Sequence, residues 1–60
     1  MKPPVPYGTP VRLDTGGRFV VVDRERIRNR WWYTFRETEF GDLVNGHEER
    51  IAEILPRVDA

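Results

Sequence analysis

Arg18-Phe19-Val20-Val21-Val22-Asp23-Arg24-Glu25-Arg26-Ile27-Arg28-Asn29-Arg30-Trp31-Trp32-Tyr33-Thr34-Phe35 decides the fold. Neither Gly nor Pro interrupts it, and its two apolar segments are β-branched and aromatic, the side chains that suit a pleated, half-buried surface. Phe19 to Val22 starts a strand that runs from Arg18 to Ile27, and Trp31 to Phe35 forms a second. Arg28-Asn29-Arg30 is the reversal between them, because Asn accepts the left-handed backbone of a tight hairpin turn.

Upstream, Val11 and Leu13 flank Arg12 in alternation and Thr15-Gly16-Gly17 supplies a turn, so a short strand precedes the hairpin. Pro3, Pro4, Pro6 and Pro10 fix φ and remove backbone donors. Residues 1–6 therefore read as an extended Pro-rich leader to a single domain over 7–56, with a short tail at 57–60. Pro3 to Pro6, after Lys2, is also a Pro-x-x-Pro pattern of the kind other domains bind. Downstream, Gly41-Asp42 and Asn45-Gly46 mark two breaks around a short strand at Leu43-Val44. Two readings of the remainder stand. Asn45 and Glu48 form a capping pair ahead of a helix carrying Ile51, Ile54 and Leu55, or a helical turn at His47 to Arg50 leads into a strand at Ile51 to Leu55. Pro56 ends either one.

The expected fold class is thus all-β, with four to five short antiparallel strands, because closing so small a sheet removes edges that would aggregate. The run from Tyr7 to Leu55 resembles a minimal SH3-like barrel of the Tudor or KOW kind. In that likeness Gly8 to Arg12 is the first strand, Gly17 to Val22 the second, Trp31-Trp32-Tyr33 the third, and Glu49 to Ile54 the closing turn and last strand. The alternative is a β-meander with a C-terminal helix. The Trp pair is also similar to the doubled Trp of peptide-binding SH3 domains, where the first Trp lines a groove for Pro-rich ligands, and this implies Trp31. The chain lacks the Ala-Leu-Tyr-Asp-Tyr-like opening of those domains, and Asp14 to Gly17 is too short for their long acidic loop. The resemblance therefore implies architecture and leaves the ligand open.

Composition narrows the function. The 60 residues carry ten Lys or Arg, ten Asp or Glu, one His and no Cys. A chain of this size buries only about 60% of the surface its unfolded form exposes, so tight packing, oligomerisation or docking must support it. Without Cys there is neither a disulfide nor a thiolate zinc site, which makes a cytoplasmic location the default. Phe19 to Val22 is the longest apolar run, far short of the roughly 20 residues of a membrane span, and the N-terminus lacks the apolar core of a signal peptide. No membrane partner is expected. Ser and Gln are also missing, leaving four Thr, two Tyr and Lys2 as side-chain nucleophiles. The chain is read as a non-enzyme that uses no cofactor.

Charge is segregated within the neutral sum: Arg12 to Arg36 carries a net of +4, and Glu37 to Ala60 a net of −5. Nine of the ten cations are Arg, whose planar fork grips carboxylate or phosphate and stacks on aromatic rings. Strand alternation places Arg24, Arg26 and Arg28 on one face and Asp23, Glu25 and Ile27 on the other. If the hairpin turns near Asn29, then Arg30, Trp32 and Arg36 join the cationic side. The candidate partner-binding set is Arg24, Arg26, Arg28, Arg30, Trp31, Trp32 and Arg36. The plain alternative has Asp23 and Glu25 paired with neighbouring Arg residues on a solvated hairpin.

Alternation also separates the aromatics, with Trp31, Tyr33 and Phe35 facing the core and Trp32 exposed, against the Trp31 assignment that the SH3 likeness implies. His47 lies beside Glu48 and Glu49 without further ligands at metal spacing, so no metal site is expected. Glu37 and Glu39 lack a pocket for acid–base work, and Gly16-Gly17-Arg18 does not match a phosphate-binding loop. The expected function is a non-catalytic adaptor module that docks onto a protein partner or complex through the Arg- and aromatic-rich hairpin, with a homo-oligomer as one form. The alternative is nucleic-acid binding through the same hairpin, which the neutral net charge disfavours.

Overall fold

In the computed structural model, residues 4–57 are described, and residues 1–3 of the leader and 58–60 of the tail lie outside that range. Five strands follow in order: β1 (Pro10–Leu13), β2 (Arg18–Ile27), β3 (Arg30–Glu37), β4 (Leu43–His47) and β5 (Ile51–Ile54), with a 3-10 turn at Glu48–Arg50 before β5. They form one antiparallel sheet ordered β4-β3-β2-β1-β5. The chain is all-β among the described residues. Of the two readings of its C-terminal part, the helical turn followed by a strand is the one found, and the long helix is not.

The hairpin forms as its composition dictates. Arg28 and Asn29 occupy the turn with φ of 50° and 67°, the two positive values of the turn type whose twist matches paired strands. Asn adopts this conformation readily, but Arg does so against the clash of its Cβ with the backbone. Arg28→Gly is therefore expected to stabilise the protein by about 0.5–1 kcal/mol, read as a higher denaturation midpoint. A lower midpoint would show that the Arg28 side chain contributes more than its backbone costs.

One face of the sheet carries the core: Val11, Leu13, Phe19, Val21, Tyr33 and Phe35, all at most 8% exposed. The rings of Tyr33 and Phe35 stack at 5.7 Å, and Phe19 meets Phe35 edge-on at 6.5 Å, arrangements that add to burial. Val5, Trp31, Val44 and Ile51 pack around this cluster.

The register shifts between Val21 and Asp23, so Val22 is a bulge. One extra residue reverses the facing of everything beyond it. Unbroken alternation from Phe19 and Val21 would turn Asp23, Glu25 and Ile27 toward the core face. With the bulge, Arg24 lies opposite Tyr33 and Arg26 opposite Trp31 on that face, and Asp23, Glu25 and Ile27 move to the outer one.

Asn45-Gly46, expected to be a break, lies inside β4. Gly46 sits opposite Tyr33 and is buried, and an added Cβ would lie 2.5 Å from Arg50 Cδ. This glycine provides room for the Arg50 stem. Nor do Asn45 and Glu48 form a capping pair: the Asn45 side-chain oxygen accepts the Thr34 hydroxyl at 2.9 Å, and no side chain caps the 3-10 turn.

Pro4 to Thr9 contains no strand, yet it is bonded to the sheet at several points. Gly8 N donates to Val21 O at 2.7 Å and Val21 N to Thr9 O at 3.1 Å. Val5 N donates to the buried Tyr33 hydroxyl at 2.9 Å, and Arg24 Nη1 to Val5 O at 2.9 Å.

Candidate interaction surface

The sheet divides the seven sequence-predicted residues between two faces. On the core side, Arg24 is held beneath the leader, its guanidinium carbon 4.8 Å from the Tyr7 ring centre and 5.7 Å from that of Trp31. Cation–π contact at these distances is favourable, more so where water is partly excluded. Arg26 lies beside it opposite Trp31, and Arg28 occupies the turn. Trp31 packs against the core, as alternation predicts.

Trp32 is on the outer face, 36% exposed, opposite Glu25 on one side and His47 on the other. Arg30 and Arg36 share this face, opposite Ile27 and Val20 respectively. Arg30, Trp32 and Arg36 therefore do not join the cationic side formed by Arg24 and Arg26. The expectation that they would is corrected by the register, in which the Ile27–Arg30 pair sets the parity of β3. What β3 adds to the core side is Trp31 and Tyr33.

The outer face holds a shallow groove of about 330 Å³ whose lining includes Asp23, Glu25, Ile27, Trp32 and Asn45. The Trp32 and His47 rings lie 3.5 Å apart between centres, tilted by 43°. That contact braces the indole on one side, while the residue keeps its partial exposure. Ile27 is 42% exposed at the hairpin end. An aromatic plate thus stands beside an exposed aliphatic side chain, rimmed by Asp23 and Glu25. Nothing in the sequence pairs His47 with Trp32; only the β3–β4 register does.

Among the described residues, Asp23 and Glu25 form no ion pair; Asp23 Oδ1 instead accepts Arg24 N at 2.8 Å. The ion pairs found join distant segments: Arg12 to Glu53, Arg30 to Glu49 at 2.6 Å and Arg50 to Asp14 at 3.5 Å. Part of the charge segregation along the chain is thus balanced within the fold. Arg26 and Arg28 have no carboxylate partner among the described residues. No group of three or more His, Cys, Asp or Glu side chains is placed to hold a metal ion among the described residues. No helix among them is long and apolar enough to cross a membrane.

Comparison of the chain with protein-family models, curated proteins and solved structures finds no match. Function therefore rests on geometry.

Proposed function

We propose that this chain is a non-catalytic binding module, built as a minimal SH3-like barrel, that docks onto a protein partner through the outer face of the β2–β3 hairpin. The barrel reading is supported by β5 returning to pair with β1 and by a core on a single face of a single sheet, which such a sheet can bury only by curving around it. The docking reading is carried by Trp32, a large aromatic ring left partly open on a strand and braced by His47. Binding energy concentrates in such rigid aromatic anchors. Asp23 and Glu25 on one side and Arg36 on the other, none of them ion-paired among the described residues, suit a partner surface that carries both charges.

Capture of interactors from the source cell, with and without nuclease, tests this reading. The wild-type chain retains its partner after nuclease treatment, and Trp32→Ala loses it while keeping a melting temperature within a few degrees, because the indole lies outside the core. Undiminished capture by Trp32→Ala would end the proposal.

Arg26 and Arg28 favour one further reading, contact with nucleic acid, because neither guanidinium is neutralised within the described fold. Its signature is affinity that falls steeply with salt, with a slope flattened by about one unit in Arg26→Ala as one phosphate contact is lost. Absence of binding at low ionic strength excludes it.

A further inference from the structure

Phe40 is 76% exposed, more than any other large apolar side chain among the described residues, yet its loop is firmly held. The Glu37 carboxylate accepts the backbone N–H groups of Glu39 and Phe40, the latter at 2.5 Å. Gly41 N donates to Glu37 O at 2.9 Å and Glu37 N to Asp42 O at 2.8 Å, with Gly41 at φ +79° closing the turn. A ring presented on so constrained a loop loses little conformational freedom on binding. Glu39 and Asp42 flank it, so the loop presents an aromatic plug between two acids.

A groove of about 580 Å³ adjoins this loop, lined among the described residues by the apolar Pro10, Leu55 and Pro56, by Gly8 and Thr38 and by the cations Arg18 and Arg57, with no carboxylate among them. Arg18 has no ion pair among the described residues. Thr38 N donates to Arg18 O at 3.0 Å, which ties the plug-bearing loop to the groove wall. Phe40, open to solvent, does not fill the groove of its own chain. The loop and the groove are complementary in character and charge: an apolar ring beside acids, and apolar side chains beside cations.

Because plug and groove are neighbours on one molecule, a two-fold axis lets two copies exchange plugs, each contact repeated by its mate. We propose that the chain forms such a dimer, in which Phe40 of each copy enters the Pro10–Leu55–Pro56 groove of the other and Glu39 and Asp42 meet Arg18 and Arg57. A standard interface takes about 800 Å² from each partner, roughly a sixth of the 4654 Å² this chain exposes. For a domain with so small a core, the buried surface also raises stability by mass action. The surface is separate from the Trp32 face, so dimerisation and partner docking stand or fall independently.

Sedimentation velocity of the full chain over a wide concentration range tests the dimer. The wild-type chain passes from monomer to dimer, and Phe40→Ala weakens association by about tenfold or more. A charge exchange makes the test specific. Arg18→Glu sets a new carboxylate beside Arg57 against the acidic plug, Glu39→Arg sets a new cation beside Asp42 against the basic groove, and each variant alone associates more weakly than the wild-type chain. Mixed in equal amounts they dimerise more tightly than either does alone, because one plug–groove contact is then the wild-type one and the other pairs the two exchanged charges with each other. Both positions are exposed, and circular dichroism verifies that each variant is folded. A wild-type chain monomeric at every concentration, a Phe40→Ala dimer of unchanged affinity, or a mixture that associates no more tightly than either variant alone would each overturn the proposal.

Discussion

Phe35→Ala is expected to unfold the protein at room temperature. Phe35 is fully buried on an interior strand of the sheet, where it stacks on Tyr33, meets Phe19 edge-on and lies opposite Val21 and Val44 on the neighbouring strands. Truncating a core aromatic costs roughly 3–5 kcal/mol, the lost transfer energy plus the cavity left behind. A core of this size rarely supplies more than about 3–5 kcal/mol of net stability in total. The two quantities are comparable, so the folded fraction falls to a minor one. Far-ultraviolet circular dichroism and the dispersion of amide resonances would read the loss directly. Phe35→Leu keeps most of the volume and should cost less than about 1.5 kcal/mol, leaving a cooperative transition at lower temperature. If Phe35→Ala instead melts cooperatively near the wild-type temperature, the core is organised around other side chains and the register assigned to β3 is wrong.

The same ring shows why the sequence is readable where it is. Phe35, Tyr33 and Trp31 alternate with Thr34 and Trp32 on a strand without Gly or Pro, so period two alone separates the core Trp31 from the exposed Trp32. The likeness to peptide-binding SH3 domains favours the other Trp, and the structure follows the alternation. Val20-Val21-Val22 is a different case. Three like residues in a row carry no period, and a bulge among them leaves no mark in composition, yet it decides that Arg24 and Arg26, and not Glu25 and Ile27, face the core side. Gly46 is illegible for a related reason: a glycine that opens a turn and one that makes room for a neighbour's side chain look alike until the neighbour, here Arg50, is known. Arg30, Trp32 and Arg36, expected on the side of Arg24 and Arg26, lie on the other face of the hairpin. Facing is a property of register, and register is set by pairings that lie far apart in the chain.

Arg24→Ala is expected to cost about 2–3 kcal/mol, far more than removal of any other cation of the hairpin. Its guanidinium donates to Val5 O at 2.9 Å and approaches the rings of both Tyr7 and Trp31. A hydrogen bond from a charged donor contributes about 1.5–3 kcal/mol, and a partly desolvated cation–π contact about 0.5–2 kcal/mol; these overlap, because one side chain makes them all. The structural consequence is local. Without Arg24 the leader keeps Val5 N on the Tyr33 hydroxyl but loses the clamp on the other side of the same residue, so amide exchange and proteolysis should rise over residues 4–7. Arg26 provides the comparison: exposed, and joined among the described residues only to Asn29 at 3.4 Å, it should change stability by less than about 0.5 kcal/mol when replaced by Ala. A double-mutant cycle between Arg24→Ala and Tyr7→Ala should show a coupling of at least about 0.5 kcal/mol. Additivity would mean the stacking over Tyr7 contributes nothing, and equal costs for Arg24→Ala and Arg26→Ala would mean the leader is not clamped. The same measurement separates structure from recognition in the Arg-rich strand: Arg24 is committed to its own chain, so Arg26 and Arg28 are the cations of β2 and its turn that remain available to a partner.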